Sequence, residues 1–133
     1  MLLGRICIST IFILAGMGKI SGPEETAAYM IAKGMSMTHF FLYAAAAVEI
    51  IGGLSLLLGF KTRWGSLLLL LFLIPTTFIF HNFWNVGPEA SKIEMIGFLK
   101  NLAIFGGLLY TLSVGPGKIS LDRFCRNCEK KGQ

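Results

Sequence analysis

Four apolar runs dominate the sequence and constrain its fold more than any other feature. Each has about 20 residues, and a helix of that length at 1.5 Å rise per residue crosses the ~30 Å hydrocarbon core of a bilayer. The predicted spans cover residues 2–20, 38–60, 64–84 and 93–114. Because the runs are continuous rather than alternating, they indicate helices and not barrel strands. The predicted fold class is an all-α membrane protein, a bundle of four transmembrane helices.

The composition agrees with a chain that lies mostly in lipid. Hydrophobic residues make up 54% and charged residues 14% of the 133 positions, whereas soluble domains have roughly 25% charged residues. Disorder is excluded by the same numbers, since disordered chains combine low hydrophobicity with high charge. We therefore predict one transmembrane domain over residues 1–114 and a basic tail over residues 115–133.

The first apolar run has an alternative interpretation as a secretory signal peptide. Arg5 precedes an apolar stretch, and small residues follow at Ala15 and Gly16, which is the general layout of such signals. A clear Ala-x-Ala cleavage site is missing from this stretch. The sequence therefore favours a membrane span over a removed signal.

The link between the first two spans predicts a short helix over residues 23–33. Ser21 and Glu24 fit a capping box, Pro23 suits the first helical turn, and Gly34 suits the stop. Several alanines and larger apolar residues give this helix an apolar side. We therefore expect it to lie along the membrane surface or against the mouth of the bundle.

The basic residues predict the orientation, because four spans place both termini on one side. That side collects the larger set: Arg5, Lys61, Arg63, Lys118, Arg123, Arg126, Lys130 and Lys131. The opposite side carries Lys19, Lys33 and Lys92. The positive-inside rule then predicts cytoplasmic termini. The net charge of +5 reflects topology and lipid contact, and no soluble basic surface remains for nucleic acid.

Two charged residues lie well inside the predicted spans. Glu49 is near the middle of the second span and Lys100 about a third into the fourth. A charge at that depth costs at least ~2.5 kcal/mol on insertion scales, so we expect it to face the bundle interior and to have a partner. The depths differ by only ~5 Å, which predicts an ion pair between Glu49 and Lys100, with Asn101 extending the hydrogen bonding. Lys100 then either neutralises Glu49 or binds a ligand.

Two further polar residues lie near the span ends. His81 follows Pro75, which is expected to kink the third span and swing its end inward. A single histidine there suits haem ligation, a quinone oxygen or a proton relay, but also an interfacial position in an aromatic belt with Trp84. Arg5 is close enough to its end of the bundle for the side chain to snorkel to the interface.

Cys125 and Cys128 form a C-x-x-C pattern in the tail. Basic neighbours favour reactive thiols, whereas the cytoplasm keeps such a pair reduced. The pair supplies only two metal ligands, so it predicts no closed metal site. The open alternatives are redox thiols and an incidental feature of a terminal tail.

Taken in order, several short motifs resemble the DoxX family of small four-span bacterial membrane proteins. The matching residues are Gly4-Arg5, Phe12, Gly16 and Lys19, Glu49-Ile50-Ile51-Gly52-Gly53, residues 58–63, His81-Asn82-Phe83-Trp84, residues 98–103, Gly106-Gly107 and residues 115–122. The likeness covers nearly the whole chain up to Asp122. The tail cysteines lie outside it.

The resemblance implies a multi-pass protein of the bacterial inner membrane in a redox setting, because the family resembles the membrane subunit of thiosulfate–quinone oxidoreductases. In that setting Glu49 and His81 are the expected catalytic proton carriers. Lys100, Asn101, Trp84 and Arg5 are expected to bind quinone, substrate or partner. Quinone is the first cofactor to expect and haem the second.

The expected partners are the bilayer and either a second protein or further copies of this chain. Two other functions stay open. One is a small transport protein whose substrate path contains the buried charges, although four spans are few for a transporter that does not oligomerise. The other is an assembly or structural factor in which the buried charges only set helix register.

Overall fold

The computed structural model describes residues 1–131, with side chains described as far as Cys128. Over this range the chain forms six α-helices and no strand. The helices are α1 (Leu2–Ser21), α2 (Pro23–Ala32), α3 (Thr38–Leu58), α4 (Thr62–Phe80), α5 (Pro88–Val114) and α6 (Leu121–Lys131), with a 3-10 turn at Phe83–Asn85. The helices α1, α3, α4 and α5 are long and apolar enough to cross a membrane. This confirms the predicted all-α class with four membrane-spanning helices.

The long helices run alternately in opposite directions, which defines two ends of the bundle. The terminal end carries the start of α1 and the α6 helix, and the distal end carries α2 and the α4–α5 connection. Neighbouring helices pack in the order α1, α3, α4, α5, whereas α1 and α5 touch each other only sparsely. We call this thinly packed side the α1–α5 seam.

Close packing of α1 on α3 depends on glycine. A Cβ at residue 16 would lie 2.7 Å from Cγ1 of Ile50, and one at residue 53 would lie 2.8 Å from Cγ1 of Ile13. In lipid the hydrophobic effect does not hold helices together, so their association depends on close packing. Small residues allow that packing because they let the two backbones approach. This contact brings the polar side chains of the two helices within reach of one another.

An apolar cluster fills much of the space between the long helices, and much of the outer surface is apolar as well. Buried residues such as Phe12, Leu56 and Leu108 pack together inside the bundle. Large apolar side chains also face outward along all four long helices, among them Leu14 and Leu71. Exposed apolar side chains of this kind are favourable in contact with lipid acyl chains, so the outer surface agrees with a position in the membrane.

The distal end differs from the predicted boundaries. α4 ends at Phe80 and is followed by the 3-10 turn, rather than continuing to residue 84. α5 already begins at Pro88, where the fixed φ of proline suits the first turn. α4 remains helical through Pro75. The third predicted span is therefore a helix followed by a separate turn that carries Trp84.

The short helix α2 packs on the bundle at the distal end. Its Ala27 and Met30 are buried against Leu42 of α3. The predicted capping box is wrong, because the Ser21 hydroxyl donates to backbone carbonyls within α1. α2 begins at Pro23, with Gly22 as its N-terminal flanking residue and no side-chain cap.

Candidate functional site

An ion pair inside the bundle joins α1 to α3. The Lys19 ammonium donates to both oxygens of Glu49, at 2.9 Å to Oε1 and 2.8 Å to Oε2. The Glu49 side chain is 6% exposed and that of Lys19 22%. A carboxylate near the middle of a membrane-spanning helix is costly unless it is paired. Lys19, near the distal end of α1, supplies that partner.

The predicted ion pair between Glu49 and Lys100 is wrong. α1 packs directly on α3, whereas α5 packs mainly on α4, so a lysine of α1 is the one that reaches Glu49. Lys100 is exposed near the middle of α5. It lies seven residues from Gly107, hence on the same face, and a Cβ at Gly107 would meet Ile8 of α1 at 2.8 Å. Lys100 therefore lies at the α1–α5 seam.

A second polar cluster holds three elements together at the distal end. Glu94 of α5 accepts a hydrogen bond at Oε1 from Lys33 at 2.7 Å, and its Oε2 lies 2.9 Å from Nδ1 of His81. Lys33 follows α2 and His81 follows α4. A carboxylate partner selects the imidazole tautomer with the proton on Nδ1, which leaves Nε2 as a proton acceptor. We call Lys33, His81 and Glu94 the distal cluster.

The lysine of this cluster is held in its charged form. Burial lowers the pKa of Lys33, but the hydrogen bond and the negative charge of Glu94 outweigh it, so the net pKa is raised above the ordinary value. The ammonium also lies 5.6 Å above the ring centre of Tyr29. A lysine pKa raised by folding contributes stability that is present throughout the neutral range and is lost as the pH rises through the folded pKa of Lys33.

Gly97 of α5 makes room for the imidazole of the distal cluster, which gives a direct test. A Cβ at residue 97 would lie 2.6 Å from Cε1 of His81. We expect Gly97→Ala to push the ring away from Glu94 and to lower the free energy of unfolding in detergent by about 1–3 kcal/mol. In contrast, a Cβ at Gly106 meets nothing within 4 Å, so Gly106→Ala should be neutral or slightly stabilising. Equal thermal unfolding of the two variants would contradict this packing.

Asn101 is buried on α5 and pairs with α4. Its Nδ2 donates to Oγ1 of Thr77 at 3.1 Å, and that hydroxyl donates onward to the carbonyl of Leu73 at 2.6 Å. The Thr77 hydroxyl thus makes one hydrogen bond within α4 and one to α5. Among the described residues, no hydrogen bond joins Asn101 to Glu49, His81 or Lys100, so the predicted residues do not form one hydrogen-bonded cluster.

Trp84 lies on the outside of the distal end. Its side chain is exposed, and its ring packs edge-on with Phe83 and Phe98 at centroid distances of 5.0 and 6.1 Å. An exposed aromatic group at the end of a membrane helix is typical of the aromatic belt at the interface.

Arg5 is buried, which differs from the predicted snorkelling position. Its side chain is 1% exposed. The guanidinium donates from Nη1 to the carbonyl of Pro116 at 2.6 Å and from Nη2 to that of Ile119 at 2.8 Å. It packs against Gly59, whose φ of +70° ends α3. Arg5 therefore joins the start of α1 to the segment that follows α5.

Asp122 ties the same segment to the start of α4. Its Oδ1 accepts from the backbone N–H of Lys61 at 2.8 Å, and its Oδ2 accepts from that of Thr62 at 3.2 Å. A carboxylate at a helix N-terminus satisfies free N–H groups and complements the helix dipole. The beginning of the predicted tail is thus part of the bundle at its terminal end.

Cys125 and Cys128 are both exposed on α6, and neither is in a disulfide within the described part of the chain. Their spacing places them one turn apart on the same helix face. Within residues 1–128, no group of three or more His, Cys, Asp or Glu is placed to hold a metal ion.

In the sequence, Lys19 and Lys33 were used to predict topology, Lys19 was also one of the residues that resemble the DoxX family, and Glu94 had no role. All three make close ion pairs in the structure. The available signal was the position of the lysines near helix ends, since a long lysine stem reaches inward as well as outward.

Comparison with known proteins agrees with this architecture. The DoxX family model matches residues 1–82, a range that includes Arg5, Lys19, Glu49 and His81. The inner membrane proteins YphA and YqjF of Escherichia coli K12 are 35% and 39% identical, each over 92% of this chain and 88% of its own length. The Surfeit locus protein 4 homolog of Schizosaccharomyces pombe is 34% identical over 65% of this chain and 27% of its own length. No solved structure matches. The chain, with its four membrane-spanning helices, therefore belongs to the DoxX family.

Proposed function

We propose that this protein is the membrane subunit of a quinone-linked redox complex of the inner membrane, with both termini in the cytoplasm. The observation that carries the proposal is the exposed Lys100 near the middle of α5. A lysine that faces lipid at this depth is unfavourable without a polar partner. A quinone is an apolar molecule with carbonyl acceptors that dissolves in the hydrocarbon core, so its carbonyl oxygen suits this position.

The α1–α5 seam offers the route by which a quinone reaches the bundle. The two helices touch only sparsely there, so a flat ring can approach from the lipid without passing through a loop. The Lys100 ammonium would donate a hydrogen bond to a quinone carbonyl and stabilise the negative charge that develops on reduction. Among the described residues, Lys100 forms no ion pair with a carboxylate.

Reduction of a quinone to a quinol consumes two electrons and two protons. In this proposal the electrons come from a redox protein bound at the terminal end, and the protons come from the distal side. The His81–Glu94 pair would accept protons at the distal end, since Nε2 of the imidazole is an acceptor when the Nδ1 proton is held by Glu94. Glu49 would hold a proton at mid-membrane depth, with Lys19 compensating its charge when the proton leaves.

The second candidate is a structural factor without catalysis. The observation in its favour is the complete pairing of Glu49, both of whose oxygens are bound by Lys19. Such a pair fixes the register of α1 against α3 even if it never exchanges a proton.

Quinone content separates the two candidates. Protein purified in mild detergent should retain extractable quinone, and Lys100→Met should weaken its binding roughly tenfold or more, because a hydrogen bond from a charged group is lost. The matched control is Lys92→Met, which removes an exposed lysine from the start of the same helix. Glu49→Gln should keep the quinone but slow quinol formation in membranes by roughly 100-fold. If neither the wild-type protein nor any of these variants retains quinone, and Glu49→Gln leaves quinol formation unchanged, the redox proposal fails and the structural one stands.

A further inference from the structure

The terminal end contains a cavity that none of the polar clusters uses. Its volume is about 370 Å³, which lies within the size range of small-molecule sites. One wall is the end of α5 and the turn after it, with Val114, Pro116 and Gly117. The other wall is α6.

The wall formed by α6 is basic. It contributes Arg123, Arg126 and Asn127, and none of the lining residues within positions 1–128 is acidic. Guanidinium groups present planar pairs of N–H donors that match the oxygens of a phosphate. The carboxylate of the nearby Asp122 is directed at the start of α4, where it accepts hydrogen bonds from the backbone of Lys61 and Thr62. Arg126 donates from Nε to the backbone carbonyl of Asp122 at 3.3 Å, a bond that does not use its terminal N–H groups. The cavity is thus suited to an anion.

The cavity lies at the edge of the membrane-spanning region. α5 ends at Val114, a lining residue whose side chain is exposed. Lipid phosphates are found at this level, just outside the hydrocarbon core.

The pattern of α6 supports a position at the membrane surface. Positions 121, 124, 125 and 128 fall on one face and carry Leu, Phe, Cys and Cys, whereas positions 123, 126 and 127 carry the polar side chains of the cavity wall. Leu121 and Phe124 are exposed apolar residues, 42% and 66% accessible. A basic amphipathic helix of this kind lies in the interface, with its apolar face towards the acyl chains.

We propose that this cavity binds the phosphate group of an anionic phospholipid, with Arg123 and Arg126 as the phosphate ligands. Asn127 adds an amide donor, and the apolar face of α6 packs among the acyl chains of the same leaflet. The face that carries Cys125 and Cys128 is then a lipid-facing surface. This site is independent of the proposed quinone chemistry, because it lies at the terminal end and involves neither Lys100 nor Glu49.

The test measures binding of short-chain phosphatidylglycerol to the full-length purified protein in neutral detergent. The double variant Arg123→Gln/Arg126→Gln should bind about 30-fold more weakly, as expected for two arginines at an anionic surface. The matched control Arg63→Gln/Lys118→Gln removes the same charge from exposed residues of the same end that do not line the cavity. It should change the affinity by less than about threefold.

Inorganic phosphate and phosphatidylcholine are the comparison ligands. The proposal predicts that both bind much more weakly than phosphatidylglycerol. It is overturned if the double variant and the control lose the same affinity, which would show only a general charge effect. It is also overturned if inorganic phosphate binds as tightly as the lipid, since the site would then serve a free anion. Circular dichroism of each variant verifies the helix content, so a loss of binding is separated from a loss of fold.

Discussion

Replacing Lys19 with methionine is expected to lower the free energy of unfolding by about 3–5 kcal/mol, among the largest effects of any substitution in this chain. The variant leaves the Glu49 carboxylate buried, with neither oxygen bound, because Lys19 supplies the ammonium to both. Methionine has a similar length and no charge, so packing along α1 is preserved. Unfolding in mixed detergent micelles, followed by circular dichroism, measures the effect.

A double-mutant cycle shows whether the loss comes from the pair. Lys19→Met combined with Glu49→Gln should be more stable than Lys19→Met alone, since the orphaned charge is gone. Lys100→Met is the matched control, because it removes an exposed lysine at mid-span of another helix. The structure would be contradicted if Lys100→Met were as destabilising as Lys19→Met and coupled to Glu49.

Arg5→Met is the other substitution for which a large loss is expected, about 3 kcal/mol or more. Two hydrogen bonds from a charged group are lost, each worth about 1.5–3 kcal/mol, and the carbonyls of Pro116 and Ile119 are left without this donor. Arg5→Lys should recover only part of the loss, because an ammonium lacks the planar fork that reaches both carbonyls.

The readouts for Arg5 are thermal unfolding and protease sensitivity of the segment between α5 and α6. Without Arg5, this segment should be cleaved faster, because its attachment to the start of α1 is gone. Arg63→Met is the control, since Arg63 is exposed and makes a single long hydrogen bond of 3.4 Å. Equal cleavage rates in the two variants would mean that Arg5 does not hold the segment.

The four-helix class follows directly from the sequence. Runs of about 20 apolar residues leave few alternatives, because a bilayer requires internally satisfied backbone over that length. The sequence signals for where individual helices begin and end were less reliable. Proline at 88 started α5 earlier than its apolar content indicated, and the Ser21 hydroxyl bonded within α1 rather than capping α2.

The partner of Glu49 could not be obtained from depth alone. Glu49 and Lys100 were matched by their positions along two helices, but which helices are neighbours depends on how glycines and side chains interdigitate. Gly16 and Gly53 bring α1 against α3, and that contact selects Lys19. The burial of Arg5 was equally hidden, because its acceptors are backbone carbonyls, which every residue has.

In the tail, by contrast, the sequence already contained the pattern of an amphipathic helix, but the cysteines in it were interpreted as a separate C-x-x-C motif. Cys125 and Cys128 are conspicuous as a C-x-x-C pair, yet they share their spacing with Leu121 and Phe124. The period of this set is that of an amphipathic helix, and α6 forms over it. Arg123 and Arg126 fall on the other side, where they line the cavity at the terminal end.

Photolabelling with an azidoquinone in native membranes tests the central functional claim most directly. We expect the label on peptides of α1 and α5 that border the seam near Lys100, with the yield reduced roughly tenfold by Lys100→Met and unchanged by Lys92→Met. Labelling that is spread over the outer surface, or that is insensitive to Lys100→Met, would contradict a quinone site at the seam.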